Sequence, residues 1–257
     1  MGKQARTASR RRQQVAVAAA ARRKRLHRLV AGIGGLVIVG LLIAIVVSLV
    51  DAAGSGRAAA TTASPSRLVA PAPATAGGAL AIGRTDAPVR LEIYLDYMCP
   101  YCGRFERANS GEIERMVADG TVRVELHPLS FLDKNSHGNR YSTRAANAVA
   151  TTADRAPDKV LALNNALYAH QPAEGTAGPS DDELAALATT SGVPQEVVDT
   201  FRNGVFETWI ATSTDAAFTT GITGTPTVKI NGTVFTQDLY TVGPLTRAID
   251  AARGSSG

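Results

Sequence analysis

Asp96-Tyr97-Met98-Cys99-Pro100-Tyr101-Cys102 holds the only two cysteines of the 257-residue chain, and the reading of this stretch decides the fold. Before it, Val89-Arg90-Leu91-Glu92-Ile93-Tyr94-Leu95 alternates as a half-buried strand, with Leu91, Ile93 and Leu95 on one face. After it, the pattern from Gly103 to Asp119 has helical period. Cys99 therefore falls where a strand ends and a helix begins, with Pro100 in the first-turn position that tolerates proline. A thiol there sits at the positive end of a helix dipole, which favours the thiolate. Cys102 shares the inward helical face with Phe105, Ile113 and Met116, so it should point into the core while Cys99 caps the end.

Working outward, Leu80-Ala81-Ile82-Gly83 reads as a short first strand and Asp86-Ala87-Pro88 as the turn before the next. Ser110-Gly111 could kink the helix that follows Cys102, and Asp119-Gly120 closes it. Thr121–His127 alternates as a strand. Residues from about 135 to 220 are helical: Tyr141–Asp154, Lys159–His170, Asp181–Ser191 capped by Ser180, and Gln195–Thr219 opened by Pro194. Trp209 and Phe206 fit the core of the last of these. Thr225–Ile230 is a strand, Asn231-Gly232 is a two-residue hairpin signal into Thr233–Phe235, and Pro244–Arg253 is a closing helix. The order β-β-α-β, helices, β-β-α describes a small α/β domain with an all-helical insertion over residues 79–253, followed by a disordered 254–257.

The chain ahead of this domain differs in composition. Residues 1–28 carry ten Lys/Arg and no acid, whereas residues 29–257 hold 17 basic and 22 acidic side chains. The overall charge of +5 belongs to the tail, which removes the main argument for nucleic-acid binding and leaves a basic cytoplasmic tail attracted to anionic membrane lipid. Leu29–Val50 is 22 residues without a charge, long enough at ~1.5 Å per residue to cross a hydrocarbon core of ~30 Å. It reads as a single transmembrane anchor, since the hydrophobic region of a cleaved signal is shorter, about 7–15 residues. The flanking basic residues place the N-terminus in the cytoplasm and the remainder outside the cell membrane. Residues 51–78, rich in Ala, Ser, Thr, Pro and Gly, read as a flexible tether spanning about 25–30 Å on average.

With those residues in view, the chain resembles the DsbA-like branch of the thioredoxin superfamily. The likeness rests on Tyr97-Met98-Cys99-Pro100-Tyr101-Cys102 with Phe105-Glu106 following, on the long helical block, and on Gly224-Thr225-Pro226-Thr227 opening a strand. It covers residues 79–253 and implies a thioredoxin-like fold. It also implies a cis Pro226 against the cysteine pair, with Thr225 and Pro226 presenting backbone to an extended substrate chain. The implied activity is protein thiol–disulfide exchange, most simply disulfide formation in secreted or membrane proteins that carry cysteines. A membrane quinone-linked reoxidase of the DsbB or VKOR type would then renew the disulfide.

The pair itself supplies the chemistry, so no cofactor is expected. A zinc site would need two further ligands, and His127, His137 and His170 are scattered singly; no metal is expected. An inert structural bridge gains little from so short a loop. Pro100 and Tyr101 should tune the potential, but Cys-Pro-Tyr-Cys does not fix the direction, and a reductase, an isomerase or a non-catalytic binding module stays open. Glu92, Tyr94 and Asp96 share one face of the strand that delivers Cys99, so Asp96 or Glu92 could accept the proton of Cys102.

Overall fold

The computed structural model describes residues 68–254. The basic tail, the apolar span and most of the tether lie outside them; among the described residues no helix is long and apolar enough to cross a membrane. The elements are β1 (Leu80–Ile82), β2 (Val89–Leu95), α1 (Pro100–Ala118), β3 (Val122–Pro128), α2 (Tyr141–Arg155), α3 (Val160–Ala169), α4 (Asp181–Thr190), α5 (Gln195–Val198), α6 (Glu207–Thr219), β4 (Thr227–Ile230), β5 (Thr233–Val234) and α7 (Pro244–Gly254).

The sheet order is β1-β3-β2-β4-β5. β2 is central and buried at every position except Arg90, because it pairs in parallel with β3 and antiparallel with β4. Helix α1 makes the crossover that a parallel β2–β3 pair requires. The registers bring three chain segments to one end of the sheet: Leu95 lies beside Pro128 of β3, and Tyr94 lies beside Thr227 of β4. The residues just before Thr227 and just after Leu95 are therefore neighbours, although about 130 positions separate them in sequence. Both loops are thus placed by strand register.

One large core holds Leu91, Ile93 and Leu95 of the sheet and Phe105 and Met116 of α1 together with Tyr141, Val149, Leu163, Tyr168 and Trp209 of the helical insertion. The insertion is consequently part of the same hydrophobic unit as the sheet. Trp209 and Phe206 are buried in it, as their spacing suggested.

Three expectations change. Gln195–Thr219 is interrupted: α5 ends at Val198, a 3-10 turn spans Phe201–Asn203, and Gly204 takes φ 60° before α6. Asn147 of α2 compensates the break, its Nδ2 donating to Phe201 O at 2.9 Å and its Oδ1 accepting from Phe206 N at 3.1 Å. The tether does not run to residue 78, since residues 68–78 lie against the fold. Ala72 N donates to Asp154 Oδ1 at 2.7 Å, Ala81 N donates to Pro73 O at 3.0 Å, and Ala74 bridges Leu80. The composition does not signal this because backbone groups and small side chains such as Ala74, not large apolar ones, hold the segment. Finally, α1 runs unbroken through Ser110-Gly111 and starts at Pro100. The Asn231-Gly232 hairpin forms as expected, with φ 48° and 85° at its two residues.

Candidate active site

Cys99 is the N-cap residue of α1, with extended backbone (φ −72°, ψ 116°) and Pro100 at the first helical positions. Its Sγ donates to Thr225 O at 3.3 Å. Thr225-Pro226 is a cis peptide bond, and the strand register sets it against the turn that carries the cysteines. Both cysteines are free thiols; Cys102 is fully buried and Cys99 is 6% exposed. Tyr101, between them, is 54% exposed, so the open side of the pair lies towards Cys99 and Tyr101.

The two sulfurs differ electrostatically. The Cys99 thiol is lowered to about 6, chiefly by a hydrogen bond from the Cys102 thiol, which outweighs the cost of partial burial. The Thr225 side chain and the N–H groups of Cys102 and Tyr101 lower it further, as expected at the start of a helix. Burial pushes the Cys102 thiol up, and the neighbouring Cys99 charge adds to the rise. The arrangement can therefore offer one sulfur as a thiolate near neutral pH while holding the other protonated.

Asp96 lies at the base of the active-site turn. Its Oδ1 accepts from Met98 N (2.8 Å) and Ser142 Oγ (2.7 Å), and its Oδ2 accepts from Leu132 N (2.8 Å). Its carbonyl accepts from Cys99 N at 3.0 Å and from the Tyr168 hydroxyl at 3.1 Å. Burial raises its carboxyl to about 6, although those three donors pull the other way. The side chain thus joins the end of β2, the cysteine turn and the start of the helical insertion. Glu92 is not brought to the cysteines: it lies four residues before Asp96, or about 13 Å by strand rise, and pairs with Arg90 at 3.2 Å and with Lys229 at 3.9 Å.

Two further residues belong to the site. Glu106 follows Cys102 by one helical turn on the same inward face and is buried. Burial raises its carboxyl to about 7, partly offset by a hydrogen bond from Asn164, whose Oδ1 accepts from the Tyr97 hydroxyl at 3.0 Å. An acid in the stripe Cys102, Phe105, Asn109, Ile113 was the available signal, and the strand acids drew attention from it. Gln171, just beyond α3, donates from Nε2 to Tyr97 O (3.1 Å) and Cys99 O (2.8 Å). Gly103 makes room for it, because a Cβ there would collide with Gln171 Oε1. Among the lone histidines, His127 stacks on Tyr94 with centroids 3.9 Å apart, and burial, with the nearby Lys229 charge adding to it, lowers its imidazole to about 3. Among the described residues no group of three or more His, Cys, Asp or Glu could hold a metal ion.

Glu106 carries a pH prediction. The unfolded chain releases this proton near the ordinary value of 4.5, the folded protein near 7, so the folded state binds more protons between these limits. Stability should fall as pH rises through that window and stay lower above it. Glu106→Gln removes the titration. It should unfold at higher urea than wild type at pH 8, by on the order of 2–3 kcal/mol, and match wild type at pH 4.5. Equal stability at pH 8 would show that Glu106 is not a buried charge.

Comparison with known proteins follows from this geometry. A family model described as thioredoxin matches residues 75–251. The serine/threonine-protein kinase PknE of Mycobacterium tuberculosis is 36% identical over 127 residues, which make up 48% of this chain and 22% of the kinase; the chain spans about a fifth of the length of the curated relatives it matches. Among solved structures, the reduced disulfide bond oxidoreductase DsbG of M. tuberculosis is similar with a TM-score of 0.58 and 25% identity, covering 71% of this chain and 96% of that one. Oxidised DsbA of M. tuberculosis gives 0.56 and 25% over 70% and 100% of the two chains. MdbA of Actinomyces oris, a thiol-disulfide oxidoreductase, gives 0.59 and 23% over 70% and 91%.

Proposed function

The chain belongs to the thioredoxin family, and from that premise we propose that it is a membrane-tethered thiol–disulfide oxidoreductase that forms disulfides in cysteine-bearing proteins outside the cell membrane. The observation that carries this reading is the contrast between the two sulfurs: Cys99 is lowered to about 6 at a helix start, and Cys102 is buried and raised. Stabilising the Cys99 thiolate stabilises the reduced pair, which makes the disulfide a better oxidant.

In the proposed reaction a substrate thiolate attacks Cys99 Sγ of the oxidised pair. The substrate–Cys99 bond forms, the Cys99–Cys102 bond breaks, and Cys102 leaves as a thiolate that takes up a proton. A second substrate thiolate attacks the substrate sulfur of this mixed disulfide and releases Cys99 as the thiolate its surroundings favour. The substrate has lost two electrons and the cysteine pair has gained them, so the exchange itself needs no bound cofactor. Glu106, which titrates near neutral pH one turn from Cys102, is the side chain best suited to supply the proton. Asp96 instead holds the turn in shape, because its oxygens already serve Met98, Leu132 and Ser142. Thr225 and Pro226 take the extended substrate backbone, and Pro100 and Tyr101 tune the pair. Reoxidation falls to a membrane quinone-linked partner of the DsbB or VKOR type.

The anchor supporting this reading is Leu29–Val50 with its basic N-terminal flank. Equilibrating the full chain in detergent with glutathione redox buffers should give a potential well above the thioredoxin value of about −270 mV. A value at or below that of thioredoxin would replace the oxidase by a reductase.

A further inference from the structure

Arg104 is exposed on α1, two residues past Cys102. Its guanidinium lies 4.5 Å from the Tyr240 ring centroid and 5.6 Å from that of Tyr101, and the two rings are 6.0 Å apart. The two neighbouring rings thus hold the cation from one side and leave its other side uncovered by them. Among the described residues no carboxylate lies within 4.0 Å of it to form an ion pair. Asp238, on whose carboxylate the Arg104 charge acts, has other partners: it accepts from Tyr240 N at 2.7 Å and from Thr241 Oγ1 at 2.8 Å.

The loop that carries Tyr240 is also fixed. Buried Asn109 of α1 donates from Nδ2 to Leu239 O at 2.8 Å, so the ring is pinned to the helix that Cys99 caps. Tyr240 is close enough to the cysteines for the charges of both to act on it. A guanidinium seated on two rings, with no ion-pair partner among the described residues, thus borders the open side of the reactive sulfur, where Tyr101 is exposed.

We propose that Arg104, seated over Tyr101 and Tyr240, is a subsite for a carboxylate side chain next to the reacting cysteine of the substrate. This rests on the exchange reaction given above and adds a preference to it: polypeptides with Asp or Glu beside a cysteine react faster than those with Lys there. The edge of the guanidinium matches a carboxylate in two parallel hydrogen bonds. The gain lies in encounter and orientation, because the site is exposed.

The test compares two-cysteine peptides that differ only in the residue after the first cysteine, Glu or Lys, oxidised by the full chain in detergent at low salt. The ratio of the two rate constants within one protein variant cancels any effect of a substitution on Cys99 itself. A neighbouring Glu makes a thiol less acidic, so intrinsic reactivity works against the proposal, and the ratio with Arg104→Gln measures that bias. Wild type should favour the Glu peptide about three- to tenfold relative to Arg104→Gln, and ~0.5 M salt should shrink the difference. Arg104→Lys, which keeps the charge, should retain part of it. Equal ratios in wild type and Arg104→Gln would overturn the subsite and leave the exchange reaction standing. Failure of wild type to oxidise either peptide would overturn both.

Discussion

Cys99→Ser brings disulfide exchange to the uncatalysed background, while Cys102→Ser keeps a Cys99 thiolate that attacks a disulfide-bearing peptide, releases one of its sulfurs as a thiol and accumulates as the mixed disulfide. The asymmetry comes from position. Cys99 caps α1 and faces Thr225 at the open end of the sheet, whereas Cys102 is fully buried among Phe105 and the tyrosines. Only Cys99 is reachable by a second polypeptide, and only its thiolate is stabilised near neutral pH. With Cys102 replaced, a substrate disulfide on Cys99 has no internal thiol to displace it and persists until an external thiol arrives. Non-reducing gels and intact-protein mass measurement after incubation with a disulfide-bearing peptide read both outcomes. Adducts on Cys99→Ser and none on Cys102→Ser would reverse the two roles.

Asp96→Ala should be the most damaging substitution outside the cysteines. It leaves Met98 N, Leu132 N and Ser142 Oγ without their acceptor in a site where Asp96 itself is fully buried. Each stranded donor costs about 1–3 kcal/mol, so the three together threaten a large part of a typical stability of 5–15 kcal/mol. The opposing term is relief from burying a charge. The Asp96 carboxyl is raised from 3.8 to about 6, so at pH 7–8 wild type carries a penalty of ~3 kcal/mol that the variant escapes. At pH 4 that penalty is absent, since the folded protein holds the proton the unfolded chain is about to lose. The loss of stability should therefore be larger at pH 4–5, on the order of 4–6 kcal/mol, and smaller at pH 8. Urea unfolding read by Trp209, the single tryptophan, checks this at both pH values. A variant as stable as wild type at pH 5 would show that these hydrogen bonds are not holding the turn.

The cysteine turn was legible because local signals coincide there. Strand alternation stops at Leu95, helical period starts after Pro100, and Thr225-Pro226 opens another strand. The sequence also marks Asp96 as an inward-facing acid, but a face does not reveal its hydrogen-bond donors. Met98 is two residues away, Leu132 and Ser142 are 36 and 46, and only the folded chain joins them. Gln171 is hidden for the same reason, since it reaches the Cys99 carbonyl across 72 residues from an ordinary helix end. Glu106 could have been found from its spacing to Cys102. The break at Gly204 could not, because Asn147 on another helix makes it tolerable.

Both borders of the sheet are short. β1 has three residues with Ala74 bridged to its outer side, and β5 has two. An enzyme that takes extended substrate backbone at Thr225 and Pro226, as proposed here, meets partners whose own strands are unpaired and ready to add to any free edge. Long borders would turn each such encounter into a seed for co-aggregation. Blunted borders confine the meeting to the Thr225 backbone beside Cys99, where a client can be chemically changed and then let go.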